Sequence, residues 1–199
     1  MILLAVISLL LGIFCGGWLF SPELSAQMGG WSGYALNLLS ISVGISVGAN
    51  KTILRHMREN SKLVLVIPAG VIVSSLVGGA LCGLLVGEPI NLGMAIAAGL
   101  GWYSLSGVML TELAGAQAGT LTFLANVFRE IFSFLVIPMV SHHLNGYAAI
   151  ASAAATSEDT TLPMIMRCTN EQTAVISVLN GVLCSLAVPF LIQFSFYLG

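Results

Sequence analysis

Seven long stretches of this sequence contain no Asp, Glu, Lys or Arg: 1–22, 24–50, 63–87, 89–111, 113–128, 131–157 and 172–199. A helix that crosses a bilayer needs about 20 mostly apolar residues, and most of these windows can hold one. Only 7% of the 199 residues are charged, against about 25% in an ordinary soluble domain. Hydrophobic residues make up 57%, and mean hydropathy is +1.01. A soluble enzyme or a nucleic-acid binder is excluded, because a fold of this size could not cover its surface with so few charges. The apolar runs do not alternate with polar residues over roughly ten positions, as outer-membrane strands would. The expectation is an all-α, polytopic integral membrane helical bundle of about seven crossings.

The charges that remain set the topology. Lys51, Arg55, Arg58 and Lys62 fall within twelve positions, so the positive-inside rule makes loop 50–62 cytoplasmic. Helices are expected near 1–20, 34–49, 63–87, from Ile90, over 120–140, from Tyr147 and over 172–198. That count puts the turn at 141–146 and the C-terminus outside. Met1 to Phe20 has no Lys or Arg before its apolar run, and bulky Phe14 precedes Cys15, so this helix reads as retained rather than cleaved. Trp18, Trp31 and Tyr34 suit an interfacial belt. Cys82, Cys168 and Cys184 stand alone in apolar surroundings and read as packing residues. His142 and His143 read as a solvated loop, and no metal or cofactor is implied.

Charge at membrane depth costs roughly 2.5–3.5 kcal/mol at a helix centre, so its presence needs a reason. Arg129 and Glu130 lie inside an apolar helix, about 100° apart around its axis. Asn126 and Glu130 are four apart and share a face. For Glu130 a polar path is the favoured reading; for Arg129 a packing ion pair and a functional role stay equally open. A second polar group, Thr156-Ser157-Glu158-Asp159-Thr160-Thr161 before Leu162-Pro163, is a poor recipe for continuous helix. It predicts a broken helix near 156–163, with the hydroxyls covering freed backbone. The Gly- and Ser-rich segment 99–107, with Ser104 and Ser106, is either a close helix contact or a second break. Two interruptions about fifty residues apart fit the way secondary transporters build substrate sites.

These same residues carry a resemblance. Gly101-Trp102-Tyr103-Ser104-Leu105, Leu110-Thr111-Glu112, Phe123-Leu124-Ala125-Asn126 with Arg129-Glu130, and Thr156-Ser157-x-Asp159-x-Thr161-Leu162-Pro163 resemble, in order and spacing, the LysO family of lysine exporters. The match runs from about Ile90 to the C-terminus. Glu158 departs from it, standing where the family usually has an apolar residue. The resemblance implies a transporter and not an enzyme. It would export L-lysine and close analogues such as thialysine from a prokaryotic cytoplasm across the inner membrane, with two intramembrane carboxylates that fall on Glu130 and Asp159. Inward proton flow through those acids is the expected drive. The resemblance further implies one transmembrane domain over 1–199, with 1–89 as helical scaffold and 90–199 as transport core. Family members carry a further membrane-embedded portion upstream, so a homodimer or a small upstream membrane subunit is expected. Two other classes stay open: a cation/proton antiporter with a non-amino-acid substrate, and a non-transporting subunit that needs a partner chain.

Overall fold

A computed structural model describes residues 7, 10–12, 14–21, 24, 31, 34, 38, 45 and 61–198. The basic loop 50–62 and the second helix at 34–49 therefore fall largely outside the described residues. The chain divides into two compact units, Met1–Ser46 and Val47–Gly199. In the first, helical residues lead into a π-helical turn, Cys15–Leu19, closed by the Phe20 N–H on the Cys15 carbonyl at 2.8 Å. Trp18, Trp31 and Tyr34 are exposed.

Every regular element among the second unit's described residues is a helix. The helices are α1 (Ser61–Val86), α2 (Ile90–Ala97), α3 (Tyr103–Ala114), α4 (Ala116–His143), α5 (Gly146–Ala153), α6 (Leu162–Cys168) and α7 (Glu171–Tyr197), with a 3-10 turn Ala154–Glu158 after α5. The boundaries have local causes. Asn145 and Asn170 cap α5 and α7 by accepting the N–H groups of Ala148 and Thr173 at 2.8 and 2.9 Å. Pro89 opens α2 and Pro163 sits in the first turn of α6, where a missing N–H is tolerated. Contrary to the loop expected for His142 and His143, α4 continues past Pro138 and runs through both, because no further breaker occurs before Asn145-Gly146.

Only α1, α4 and α7 among the described residues are long and apolar enough to cross a membrane. The segments 90–114 and 146–168, expected as crossings, each fold back on themselves. Ser141 Oγ donates to the Cys168 carbonyl at 2.7 Å, which brings the end of α6 beside the end of α4, where α5 starts. Gly146 abuts Thr169 and Thr173, so α5 also begins next to the start of α7. At the far side, Asn91 Nδ2 donates to the Phe196 carbonyl at 3.0 Å, so α2 begins where α7 ends. α3 returns to that same side, because Gly115 alone separates it from α4. The result is two re-entrant hairpins, α2–α3 entering from the Glu88 end and α5–α6 from the Lys62 end. The turn 144–145 consequently lies at the Lys62 end, the reverse of the side assigned by counting crossings.

The hairpin tips meet at mid-depth, where the Ala155 N–H donates to the Leu100 carbonyl at 3.1 Å and Gly101 abuts Thr156. The helix breaks fall at 98–102 and 154–161, at the two places the sequence marks. Hairpin plus long helix thus occurs twice with opposite sense, an inverted repeat. Leu100 (φ 50°) and Ala154 (φ 55°) are the two non-glycine residues with positive φ among those described. They are separated by the same number of residues as Asn126 and Asn180, and each of these asparagines bonds one break. At the Lys62 end a core of Ile137, Ile150, Ile165 and Ile176 receives Leu63 and Ile67 of α1. Val66, Val73, Phe128, Phe132, Phe190 and Phe194 face outward, an arrangement suited to lipid.

Candidate functional site

The first break is held by one side chain. Asn126 on α4 accepts the Gly101 N–H on Oδ1 at 2.8 Å and donates through Nδ2 to the carbonyls of Ile96 (3.1 Å) and Thr122 (2.9 Å). Gly101 needs glycine, because its φ is +97° and a Cβ there would press on Thr156. Ser106, expected near the site, is buried and donates to the Trp102 carbonyl at 2.8 Å, so it builds the start of α3. Ser104 is exposed on the first turn of the same helix.

The second break is held from α7. Asn180 Nδ2 donates to the Ala154 carbonyl and to Ser157 Oγ, both at 3.0 Å. Ser157 and Ser177 exchange hydroxyl-to-carbonyl bonds at 2.8 and 2.7 Å. Thr161 Oγ1 donates to the Thr156 carbonyl at 2.9 Å, while Thr156 Oγ1 donates to the Ala153 carbonyl at 2.8 Å. Non-helical backbone at this depth must be satisfied by protein, and these hydroxyls do that locally. Gly181 lets the tip approach α7 closely, since a Cβ there would collide with the Glu158 backbone nitrogen.

What remains is the set of groups the frame does not use. Glu130 is buried, and neither carboxyl oxygen has a hydrogen-bond partner among the described residues. The Thr160 side chain lies beside that carboxyl, and its hydroxyl likewise makes no hydrogen bond of regular geometry among the described residues. Asp159 and Tyr103 are within electrostatic reach of the same carboxyl. Asp159 is exposed, and its side chain accepts its neighbour's Thr160 N–H. Glu130, Asp159 and Thr160 therefore converge beside the meeting point of the hairpins. The adjacent acid Glu158 turns the other way, its Oε1 accepting from Ser185 Oγ at 2.6 Å. Arg129 also leaves this group and donates to Ser75 Oγ on α1 at 2.9 Å.

Of the eleven residues marked in the sequence, the structure brings three together (Glu130, Asp159 and Thr160) and spends six (Asn126, Ser106, Thr156, Ser157, Thr161 and Glu158) on bonds that hold the frame. Arg129 faces α1, and Ser104 stands apart. Asn180, Ser177, Ser185, Tyr103 and Ser75 were missed. Asn180 carried a legible signal as a lone amide inside an apolar run.

The family model described as "Lysine exporter LysO" matches residues 6–196. The chain is 36% identical over 163 residues to the lysine exporter LysO of Escherichia coli (strain K12), a match covering 82% of this chain and 54% of that one. It is 34% identical over 189 residues to a putative lysine exporter of Haemophilus influenzae, covering 95% of this chain and 93% of the relative. The chain thus spans about half the length of the first relative and nearly all of the second. No solved structure matches it significantly. By family match and by both relatives, this chain belongs to the LysO lysine exporter family.

Proposed function

We propose that the chain exports L-lysine, and close analogues such as thialysine, from the prokaryotic cytoplasm in exchange for protons. The observation that carries this reading is the buried Glu130 carboxyl, without a hydrogen-bond partner among the described residues, near Thr160 and Asp159 where two oppositely oriented hairpins meet. Buried polar groups are ordinarily paired, and an unpaired acid in a transporter's centre is a natural place for a transported cation or proton. The names of the two relatives supply the substrate class. The Lys62 end, which also carries Arg167, is the cytoplasmic one by the positive-inside rule.

In this mechanism Glu130 and Asp159 hold the amino groups of lysine, with Thr160 as a neutral partner. When lysine leaves outward, the acids take protons from that side and release them inward. Expelling one positive charge from a negative-inside cell costs about 2.3 kcal/mol per 100 mV. One inward proton makes the exchange electroneutral, and a second brings the voltage to its aid; two acids suffice for either. Each hairpin gates one end, so a rocking of the inverted repeats about their shared tip alternates access.

The test is lysine efflux from loaded vesicles, recorded together with internal pH. Glu130→Gln or Asp159→Asn should abolish coupled efflux, with folding checked by size-exclusion elution. If both variants export at the normal rate, the assignment of these acids is wrong.

A further inference from the structure

Arg129 is placed where a cation needs an explanation. It is the fourteenth residue of a 28-residue helix, and its one hydrogen bond among the described residues goes to Ser75, which is central in the 26-residue α1. No carboxylate lies within ion-pair distance of it among the described residues. A guanidinium carries five donors, and one neutral hydroxyl at mid-bilayer leaves most of its charge unanswered. Beside it a cavity of about 580 Å³ opens between α1, α2 and α4. Its lining includes Arg129, Ser75, Asn126, Gly78, Ala97 and Glu88. The volume falls within the range of roughly 300–1,000 Å³ typical of small-molecule sites.

We infer that this groove is a carboxylate-binding station for an amino acid, with Arg129 and Ser75 taking the α-carboxylate. The station rests on the reading that the chain moves an amino acid, and it adds a second stop on the route away from Glu130. Asn126 connects the two, since it lines the groove and also holds the hairpin tip. A lipid headgroup does not fit, because phosphates lie about 15 Å or more from the bilayer centre, where Arg129 sits. From Ser75 to Val86 the helix rises about 16 Å, longer than a lysine molecule. Glu88 therefore meets the ammonium groups later, as the amino acid leaves toward that end. The station selects amino acids over diamines, which the acids at Glu130 alone would not do.

Cys82 is exposed and lines the groove, so it serves as a native reporter. Its alkylation by a maleimide is followed by peptide mass spectrometry on the full chain in vesicles, with lysine or with cadaverine, the same diamine lacking the carboxylate. Lysine should slow labelling at concentrations at which cadaverine does not. Arg129→Gln should weaken the protection roughly ten- to a hundredfold, as loss of a charge-assisted hydrogen bond does. Equal protection by both compounds, protection by neither, or labelling that depends on anionic lipid and not on lysine would overturn the proposal. The lysine–cadaverine comparison uses unaltered protein and stands even if the variant fails to fold. Lysine efflux is measured in the same vesicles: protection without efflux removes the export reading and keeps the station, whereas efflux without protection does the reverse.

Discussion

Replacing Asn126 by Leu keeps the number of side-chain heavy atoms and their branching and removes every bond that this side chain makes to the first hairpin tip. The Gly101 N–H then loses its partner, and an orphaned buried donor costs about 1–3 kcal/mol. The Ile96 carbonyl loses less, because the Gly99 N–H also reaches it at 3.3 Å. Side-chain hydrogen bonds between membrane helices average only about 0.6 kcal/mol, since the unfolded-in-membrane state finds other partners. That discount applies to the Ile96 and Thr122 bonds. It does not apply to Gly101, whose φ of +97° holds its N–H out of any helix. The total comes to about 2–4 kcal/mol. Hydrogen–deuterium exchange localises the effect: 98–102 should lose protection in Asn126→Leu while 154–161 changes little, and Asn180→Leu should give the mirror result. Thermal unfolding in detergent measures the size, with Thr120→Val as control, whose hydroxyl bonds only its own helix. An Asn126→Leu protein as stable as wild type, with 98–102 still protected, would mean the tip is held by something else.

Ala154→Gly should stabilise the protein by about 0.5–1 kcal/mol, because relief of the left-handed φ outweighs the added freedom of the unfolded chain. Leu100→Gly relieves the same strain but empties a fully buried side-chain site, so a net loss of about 1–3 kcal/mol is expected; unfolding curves that rank the two the other way refute the strain assignment. The re-entrant topology predicts that single cysteines at Lys62 and Leu144, both exposed, react with an impermeant maleimide from the same face of the membrane, and one at Glu88 from the opposite face. Labelling of position 144 together with 88 would turn the first hairpin back into a crossing.

Both breaks were legible because local chemistry dictates them. Gly99 and Gly101 marked the first place as either a close helix contact or a break, and Thr156 to Pro163 supplies hydroxyls for freed carbonyls and a proline to restart the helix. Whether such a segment crosses or returns was not legible. The stretch 90–114 has the same apolar length in either case, and the choice is made by the Ala155 N–H meeting the Leu100 carbonyl, a contact between distant parts of the chain. The same limit governs the two adjacent acids. Glu158 and Asp159 look interchangeable in sequence, but the 3-10 turn aims Glu158 at Ser185 and leaves Asp159 free to face Glu130. Glu130 itself was readable from the sequence, since an acid sharing a helix face with Asn126 has to face protein.

The scaffold is symmetric and the chemistry is not. Asn126 and Asn180 occupy corresponding places in the two halves and do the same work, each tying the backbone of its own hairpin's break, Asn126 through the Gly101 N–H and Asn180 through the Ala154 carbonyl. Stepping equally far along each long helix from these asparagines reaches Glu130 in the first half and Cys184 in the second. The acids of the breaks are unequal too: Glu158 and Asp159 lie in the second, while the first, from Ala98 to Trp102, has none. An inverted scaffold gives two related conformations, one open to each end, at similar energy. Duplicating the acids would have put like charges on both sides of one small centre, each desolvated and repelling the other. One acid on α4 of the first half and one in the hairpin of the second would, on the proposed reading, let a single cationic substrate bridge the halves. On that reading, protons taken up by the two acids when the substrate leaves are what let the emptied halves move back.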